Sequence, residues 1–309
     1  MDGFPYSHTE KRYHTFDHFA RTVFGRKASR ISLDANLTCP NKDGTCGVGG
    51  CLFCHGGSSG AYGDSIEEQY RRGTEIALRK WGETAKIPYL QANTNTYGEI
   101  GHLRALYRRC AALPDAEMLA IGTRADCLSD AVIDLLRETS ETIPLLLELG
   151  MQTANDTTLS LIRRGYGHDA FVQGYEKLRA AGGNIRICLH LMNGLPGESA
   201  ADMLATAKAA ANLRPDMVKI HATCVLFGTD LHEMWERGDY EPLEMEEHVG
   251  ILCDQLAVIQ PEVVIARISA DAPREMLAAP LWVRNKKAIS NLLDREMRER
   301  NIFQGCSRI

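Results

Sequence analysis

The sequence predicts an α/β protein built on a parallel barrel, whole or partial. Short apolar, often β-branched segments alternate with longer stretches of helical period, and six or seven such units follow one another. The residues with chemical potential fall just after the strands, where a barrel of this kind opens its mouth.

The expected strands are ISLDANL (31–37), IPYLQAN (87–93), EMLAIGT (117–123), PLLLELGMQ (144–152), IRICLHLM (185–192), MVKIHA (217–222) and VVIARIS (263–269). Helical stretches between them have recognisable starts. Ser65 with Glu68 makes a capping box ahead of EEQYRRGTEIALRKW, Ser129 precedes DAVIDLLRE, and Ser199 with Asp202 opens DMLATAKAAANL. Crossovers of this length imply parallel neighbours. The cysteine stretch CPNKDGTCGVGGCLFC (39–54) follows the first strand, NTNTY (93–97) the second and TRAD (123–126) the third. Gln152 ends the fourth, and NGLPGE (193–198) follows the fifth. No internal repeat or low-complexity linker marks a hard domain boundary.

With 309 residues and 44% hydrophobic content the chain can bury one large core or two modest ones. A net charge of −5 argues against a wholly basic nucleic-acid binder without speaking to a local basic face. No apolar run is long enough to span a bilayer, and the N-terminus lacks a secretory apolar core and is not arginine-rich, so a cytoplasmic protein is expected. There the ten cysteines read as metal ligands or buried thiols rather than disulfides. Cys110, Cys127, Cys188, Cys224, Cys253 and Cys306 stand alone and are expected as small core residues.

Cys39, Cys46, Cys51 and Cys54 differ, since all four fall within sixteen glycine-laced residues. Four thiolates would close a structural zinc site. Three would hold an iron–sulfur cube with one iron left open. Glycines 44, 47, 49 and 50 suit a loop wrapped around a cluster, but spacing alone leaves both readings standing.

Taken together, CPNKDGTCGVGGCLFC, QANTNTY, IGTRADCLSD, ELGMQTANDTTL, HLMNGLPGE, KIHATCVLFGT and RISADAPREML resemble the radical S-adenosylmethionine (SAM) enzymes. The resemblance is to their YhcC-type branch, related to the elongator catalytic subunit and to oxygen-independent coproporphyrinogen oxidase. It runs from about residue 12 to about residue 287. It implies a partial (β/α)6-type TIM barrel of the radical SAM type over residues 30–240. Residues 1–29 and 241–309 become N- and C-terminal extensions, the latter completing the core. It also implies a [4Fe–4S] cluster on Cys39, Cys51 and Cys54, in the long-loop spacing Cys39-x11-Cys51-x2-Cys54, with Cys46 a bystander. SAM would chelate the open iron and be cleaved reductively to a 5′-deoxyadenosyl radical, with flavodoxin or ferredoxin as electron donor.

By the same resemblance Phe53 lies beside the adenine, Thr94 and Asn95 serve the SAM amino group, and Gln152 and Arg164 contact SAM. An arginine fork suits a carboxylate and a glutamine amide suits ribose hydroxyls. Glu148 shares the parity of Gln152, and Arg124 is its expected partner, either touching SAM or forming a structural ion pair. Gly194 in NGLPGE would let backbone approach the adenine.

For the substrate side the sequence offers Lys219, His221, Arg267, Asp271, Arg274 and Trp282. From Arg284 to Ile309 seven Lys or Arg stand against three acids, a basic amphipathic helix that could track RNA or simply face solvent. The elongator relationship points to a wobble uridine of tRNA; its acetyl-transfer step is not carried over. A radical SAM enzyme on a metabolite or protein side chain, and a zinc-stabilised binding protein without catalysis, stand as alternatives.

Overall fold

Seven strands lie side by side in chain order and all parallel: β1 (Ala28–Leu33), β2 (Ala85–Leu90), β3 (Leu119–Thr123), β4 (Leu145–Gln152), β5 (Ile185–Asn193), β6 (Met217–Ala222) and, after a short β7 (Val225–Leu226), β8 (Val264–Arg267). This computed structural model describes residues 4–55 and 64–307. The sheet curls into a partial barrel with β1 and β8 as its free edges. β7 pairs separately and antiparallel with β9 (Leu277–Ala279).

Along each strand, alternate side chains go to the two faces. Outward-facing Leu145, Leu147 and Leu149 join Ile187, Leu189, Leu191, Val218 and Ile220 in the core beneath the helices. Those helices are α2 (Ile66–Trp81), α3 (Ile100–Ala111), α4 (Asp130–Ser140), α6 (His168–Ala180), α7 (Ala200–Leu213), α9 (Met245–Val258) and α10 (Lys286–Glu299), with α5 (Asp156–Leu161) and α8 (Asp230–Glu236) over the mouth.

The inward-facing residues at the lower ends are also apolar. Ile87, Met118, Leu146, Met217 and Val264 meet Phe19 of α1 (Phe16–Phe24). Helix α1 starts at Thr15, whose hydroxyl accepts the His18 N–H and whose backbone bridges Ile265 at the β8 edge. It packs against both edge strands, so the chain before the barrel plugs its floor.

Several sequence expectations shift. β1 begins at Ala28, and its inward Arg30 and Ser32 break the apolar signal that marks the other strands. It ends at Leu33 because the Asp34 carboxylate takes the Asn36 N–H and Asn36 turns left-handed (φ 55). Ser65 caps α2, but Glu68 pairs with Arg71 and Arg72 instead of closing the box; at Ser199 and Asp202 both halves form. Of the lone cysteines, 110, 188 and 253 are buried, 127 and 224 are half-buried, and Cys306 is exposed. Helix α10 buries Ile289, Leu292, Leu293 and Met297 and leaves its charged side to solvent. Among the described residues no helix is long and apolar enough to cross a membrane.

If α1 is the floor of the barrel, Phe19→Ala should cost about 3 kcal/mol or more in urea unfolding, the range for emptying a buried aromatic site. A loss below about 1 kcal/mol would mean that the ring fills no essential space.

Candidate functional site

Strand β4 organises the interior. Its inward residues run Leu146, Glu148, Gly150: an apolar floor, then a carboxylate, then room. Glu148 is 1% exposed. Its Oε2 binds the Lys219 ammonium from β6 and, at 2.9 Å, Nε2 of His190 from β5. The Arg30 guanidinium from β1 lies 3.6 Å from Oε1. Burial alone raises the Glu148 carboxyl, but Lys219, Arg30 and His190 overcome that and hold it well below the usual carboxylate range. Burial, with Arg30 adding to it, pushes Lys219 down to about 8 against the pull of Glu148, so the pair is charged at neutral pH. Burial and the neighbouring Lys219 push His190 down to about 4, which leaves its imidazole neutral. His221 is likewise held well below its ordinary value, by burial and then by His190 and Arg267.

Above this layer lies a cleft of about 640 Å³. One wall carries Cys39, Cys51, Cys54 and Phe53; the opposite wall carries His221, Arg267 and Asp271; Thr94, Arg124, Gln152 and Arg164 stand between them. The three thiols are half-buried, and Asn41 Nδ2 lies 3.3 Å from the Cys51 sulfur. Burial pushes the Cys54 thiol up, and Cys51 and Cys39 add to this against Lys42. Cys46 is exposed and opens instead on a separate cleft beside Gly165 and Tyr166.

Arg164 is buried at 6% exposure, not on the surface. Its Nη2 donates to the Gly150 carbonyl and to the Tyr166 hydroxyl, both at 2.7 Å. Arg124 grips Asp126 through two bonds of 2.9 and 2.8 Å, and both guanidinium groups lie 4.9 Å from the Tyr166 ring centre. Arg164 Nε and Arg124 Nη1 are left without partners. At the end of β4, Gln152 adopts φ 66 and folds its amide back over the strand. A Cβ on Gly150 would sit 2.6 Å from that amide nitrogen, so residue 150 has to be glycine for the fold-back to fit.

Some expected site residues stand elsewhere. Asn95 is fully buried and its Nδ2 ties Leu90, Ala92 and Gly122 carbonyls together, joining β2 to β3 below the cleft. Gly194 uses its own groups internally: its N–H meets the Met203 sulfur and its carbonyl takes the Tyr240 hydroxyl. Arg124 does not pair with Glu148, because Asp126, two residues on, reaches it first and Lys219, His190 and Arg30 surround the glutamate. Trp282 donates to the Leu243 carbonyl, and Arg274 is exposed. Two cavity residues go beyond the sequence reading: Arg30, hidden by the misplaced start of β1, and His190, whose signal is its parity with Cys188 and its register opposite Lys219.

The profile of the Radical SAM superfamily matches residues 44–210, and that of the Radical_SAM C-terminal domain matches 215–299. The chain is 40% identical over 306 residues to the uncharacterized protein YtqA of Bacillus subtilis, covering 98% of this chain and 94% of that one. It is 34% identical over 283 residues to protein YhcC of Escherichia coli K12, covering 90% of each. A tRNA uridine(34) acetyltransferase of Methanocaldococcus jannaschii is 26% identical over 329 residues, which span 92% of this chain and 58% of the relative. Among solved structures, the Methanocaldococcus infernus Elp3 lacking its first 46 residues superposes with a TM-score of 0.69 at 20% identity, over 90% of this chain and 64% of that one.

The neutral state of His190 has a thermodynamic consequence. Its folded value is depressed from 6.5 to about 4, so the stability it contributes is complete above pH 6.5 and is lost as pH falls through 4. Between those values the unfolded chain binds one more proton at this site, a slope of about 1.4 kcal/mol per pH unit. Urea titrations near pH 5 should therefore show a shallower pH slope for His190→Gln than for the wild type, by up to that amount. Equal slopes would mean a protonated His190.

Proposed function

The chain belongs to the radical SAM superfamily, in its YhcC-type branch, and from that premise we propose that Cys39, Cys51 and Cys54 hold one [4Fe–4S] cluster, with SAM in the adjoining cleft. The observation that carries this reading is the sorting of the four loop cysteines: these three line one cavity while Cys46 opens on another. Three thiolates facing a cleft lined by the Arg124 and Arg164 side chains suit an incompletely ligated cluster and an anionic ligand beside it, whereas a zinc site would need a fourth donor. Cluster and SAM together supply a 5′-deoxyadenosyl radical that abstracts hydrogen from a substrate.

In this reading the residues of the chain bind and orient. Arg164, fixed by Gly150 and Tyr166, sets its guanidinium charge at the wall of the cleft for the SAM carboxylate, and Gln152 offers its amide to the ribose. Phe53 flanks the adenine and Thr94 the amino group. Glu148 is the structural ion pair of the two alternatives, since its charge is already matched. Lys219, His221, Arg267 and Asp271 lie on the substrate side.

We propose a tRNA nucleoside as the substrate. Support comes from the activity for which the archaeal relative is named and from the cations Arg267, Lys286 and Lys80 gathered around Asp271 at the mouth. Flavodoxin or ferredoxin in the cytoplasm would supply the electron.

Anaerobic reconstitution tests the cluster. Wild type and Cys46→Ala should each take up about four irons and four sulfides, and alanine at Cys39, Cys51 or Cys54 should abolish stable uptake. One tight zinc that is lost with Cys46 would overturn the reading. With dithionite and SAM the loaded protein should release 5′-deoxyadenosine, and Arg164→Leu should weaken SAM binding at least tenfold, as expected for a lost charge-assisted bond worth about 1.5–3 kcal/mol.

The RNA reading makes a separate demand. Affinity for an unmodified tRNA transcript should fall steeply with salt, with a log–log slope of about −0.9 for each phosphate neutralised. A flat dependence, or no binding at low salt, would favour a small metabolite or a protein side chain.

A further inference from the structure

Of the groups at the base of the cleft, His190 has a job that cluster and SAM chemistry does not explain. Its ring is anchored on one side only. Nε2 sits 2.9 Å from Glu148 Oε2, and a carboxylate held ionised by Lys219 and Arg30 can only accept. The Nε2 atom must therefore carry the proton, and in a neutral ring Nδ1 is then a bare acceptor. Among the described residues no group bonds Nδ1, and it is not one of the buried polar atoms cut off from solvent. The side chain is 19% exposed and lines the cleft between Gln152 on the SAM side and Arg267 on the substrate side.

We propose that His190 is a specificity-determining residue of this site, a neutral imidazole that accepts a hydrogen bond from an N–H or O–H of the substrate through Nδ1. The proposal rests on the cleft being the reaction chamber, and it narrows the substrate class to molecules with such a donor close to the reacting carbon. The imide N–H of a pyrimidine base is one such group, and a purely acceptor-bearing or hydrocarbon group is not.

Magnitude separates recognition from proton transfer. With its value near 4, His190 would hold a proton in only about one molecule in a thousand at pH 7, so it is an acceptor and not a base. The groups around it divide, and those that disfavour a proton prevail. Burial comes first; from β6 and β1, Lys219 and Arg30 repel a proton on the ring, while the Glu148 carboxylate of β4 pulls the other way and is outweighed. His221 of β6, Arg267 of β8 and Asp271 beyond it line the same cleft, and Tyr89 of β2 and Cys188 of β5 are neutral. A cation at Glu148, Cys188 and His190 is disfavoured for the same reason, although their donor atoms lie within 4.8 Å of one another.

Carbethoxylation by diethyl pyrocarbonate tests the proposal without turnover, because the reagent attacks only an unprotonated, reachable imidazole nitrogen. The full-length protein as isolated is treated at about pH 7.5 and about pH 5.5, with N-acetylhistidine in the same tube, and His190 labelling is read by peptide mass spectrometry. The reference should slow about tenfold between the two, following an ordinary imidazole. His190 should react at both and change less than twofold. A His190 that is unreactive at both pH values, or that slows in step with the reference, has no open acceptor and overturns the proposal. Iron analysis of the same sample reports independently on the cluster, so failure of one reading does not masquerade as failure of the other.

Discussion

The interior of this barrel depends on one buried carboxylate. Glu148 gathers Lys219, His190 and Arg30 from three other strands, so β1, β4, β5 and β6 are tied across the inside of the sheet as well as along its backbone. A charge so placed is costly unless matched, and removing one partner of a buried pair leaves the other exposed to the full desolvation penalty, about 3–5 kcal/mol. The sheet cannot slip by one residue without turning Glu148 into the leucine-rich outer core and a leucine into the cleft. The ion cluster thus fixes register where the barrel is open and lacks the closure that fixes it in a complete ring.

That constraint sets the height of everything above it. Phe19 and the ring of apolar residues fill the floor, the Glu148 layer caps them with Gly122 beside the carboxylate on β3, and Gly150 makes room above it. Space opens there because β4 trades bulk for glycine one step above the carboxylate, and Gln152 and Arg164 turn back into the vacated volume. The cysteine loop then has a surface to close over.

Much of this was legible in the sequence, and the reason is periodicity. Strands whose outward faces are Leu, Ile and Val announced themselves, and β4, β5 and β6 fall within one residue of expectation. The gathering of Cys39, Cys51, Cys54, Gln152, Arg164 and Glu148 in one cleft follows from the strands that carry Glu148 and Gln152 and from the loops after β1 and β4 that carry the rest. What failed were readings that depend on which partner wins. Glu148 and Arg124 are sensible partners on a sequence line, but Asp126 is two residues from Arg124 and the glutamate points at β6. The resemblance of NTNTY assigns Asn95 to the SAM amino group, yet its side-chain amide donates to three backbone carbonyls. Arg30 was lost because a polar residue facing inward erases the very alternation used to find strands, whereas His190 lay in a strand correctly placed and needed the register opposite Lys219 to be seen as part of the site.

The two sides of the cleft differ in how completely their polar groups are satisfied, and that difference bears on function. On the cysteine side, Arg124 and Arg164 are clamped by Asp126, Tyr166 and Gly150. Such groups are held to a single geometry, as recognition of one invariant ligand requires. On the far side Arg267 lies 3.5 Å from Asp271, which Lys286 also holds, and both side chains reach solvent. These groups can be recruited by a ligand without breaking a buried network. On the proposed reading, the fixed half would serve a constant cofactor and the adaptable half the substrate, a division suited to a chemistry whose reactive species is shared while the acceptor differs. His190 sits on the seam between the two halves, rigidly held through Nε2 and open through Nδ1, and so joins the placement of one to the choice made by the other.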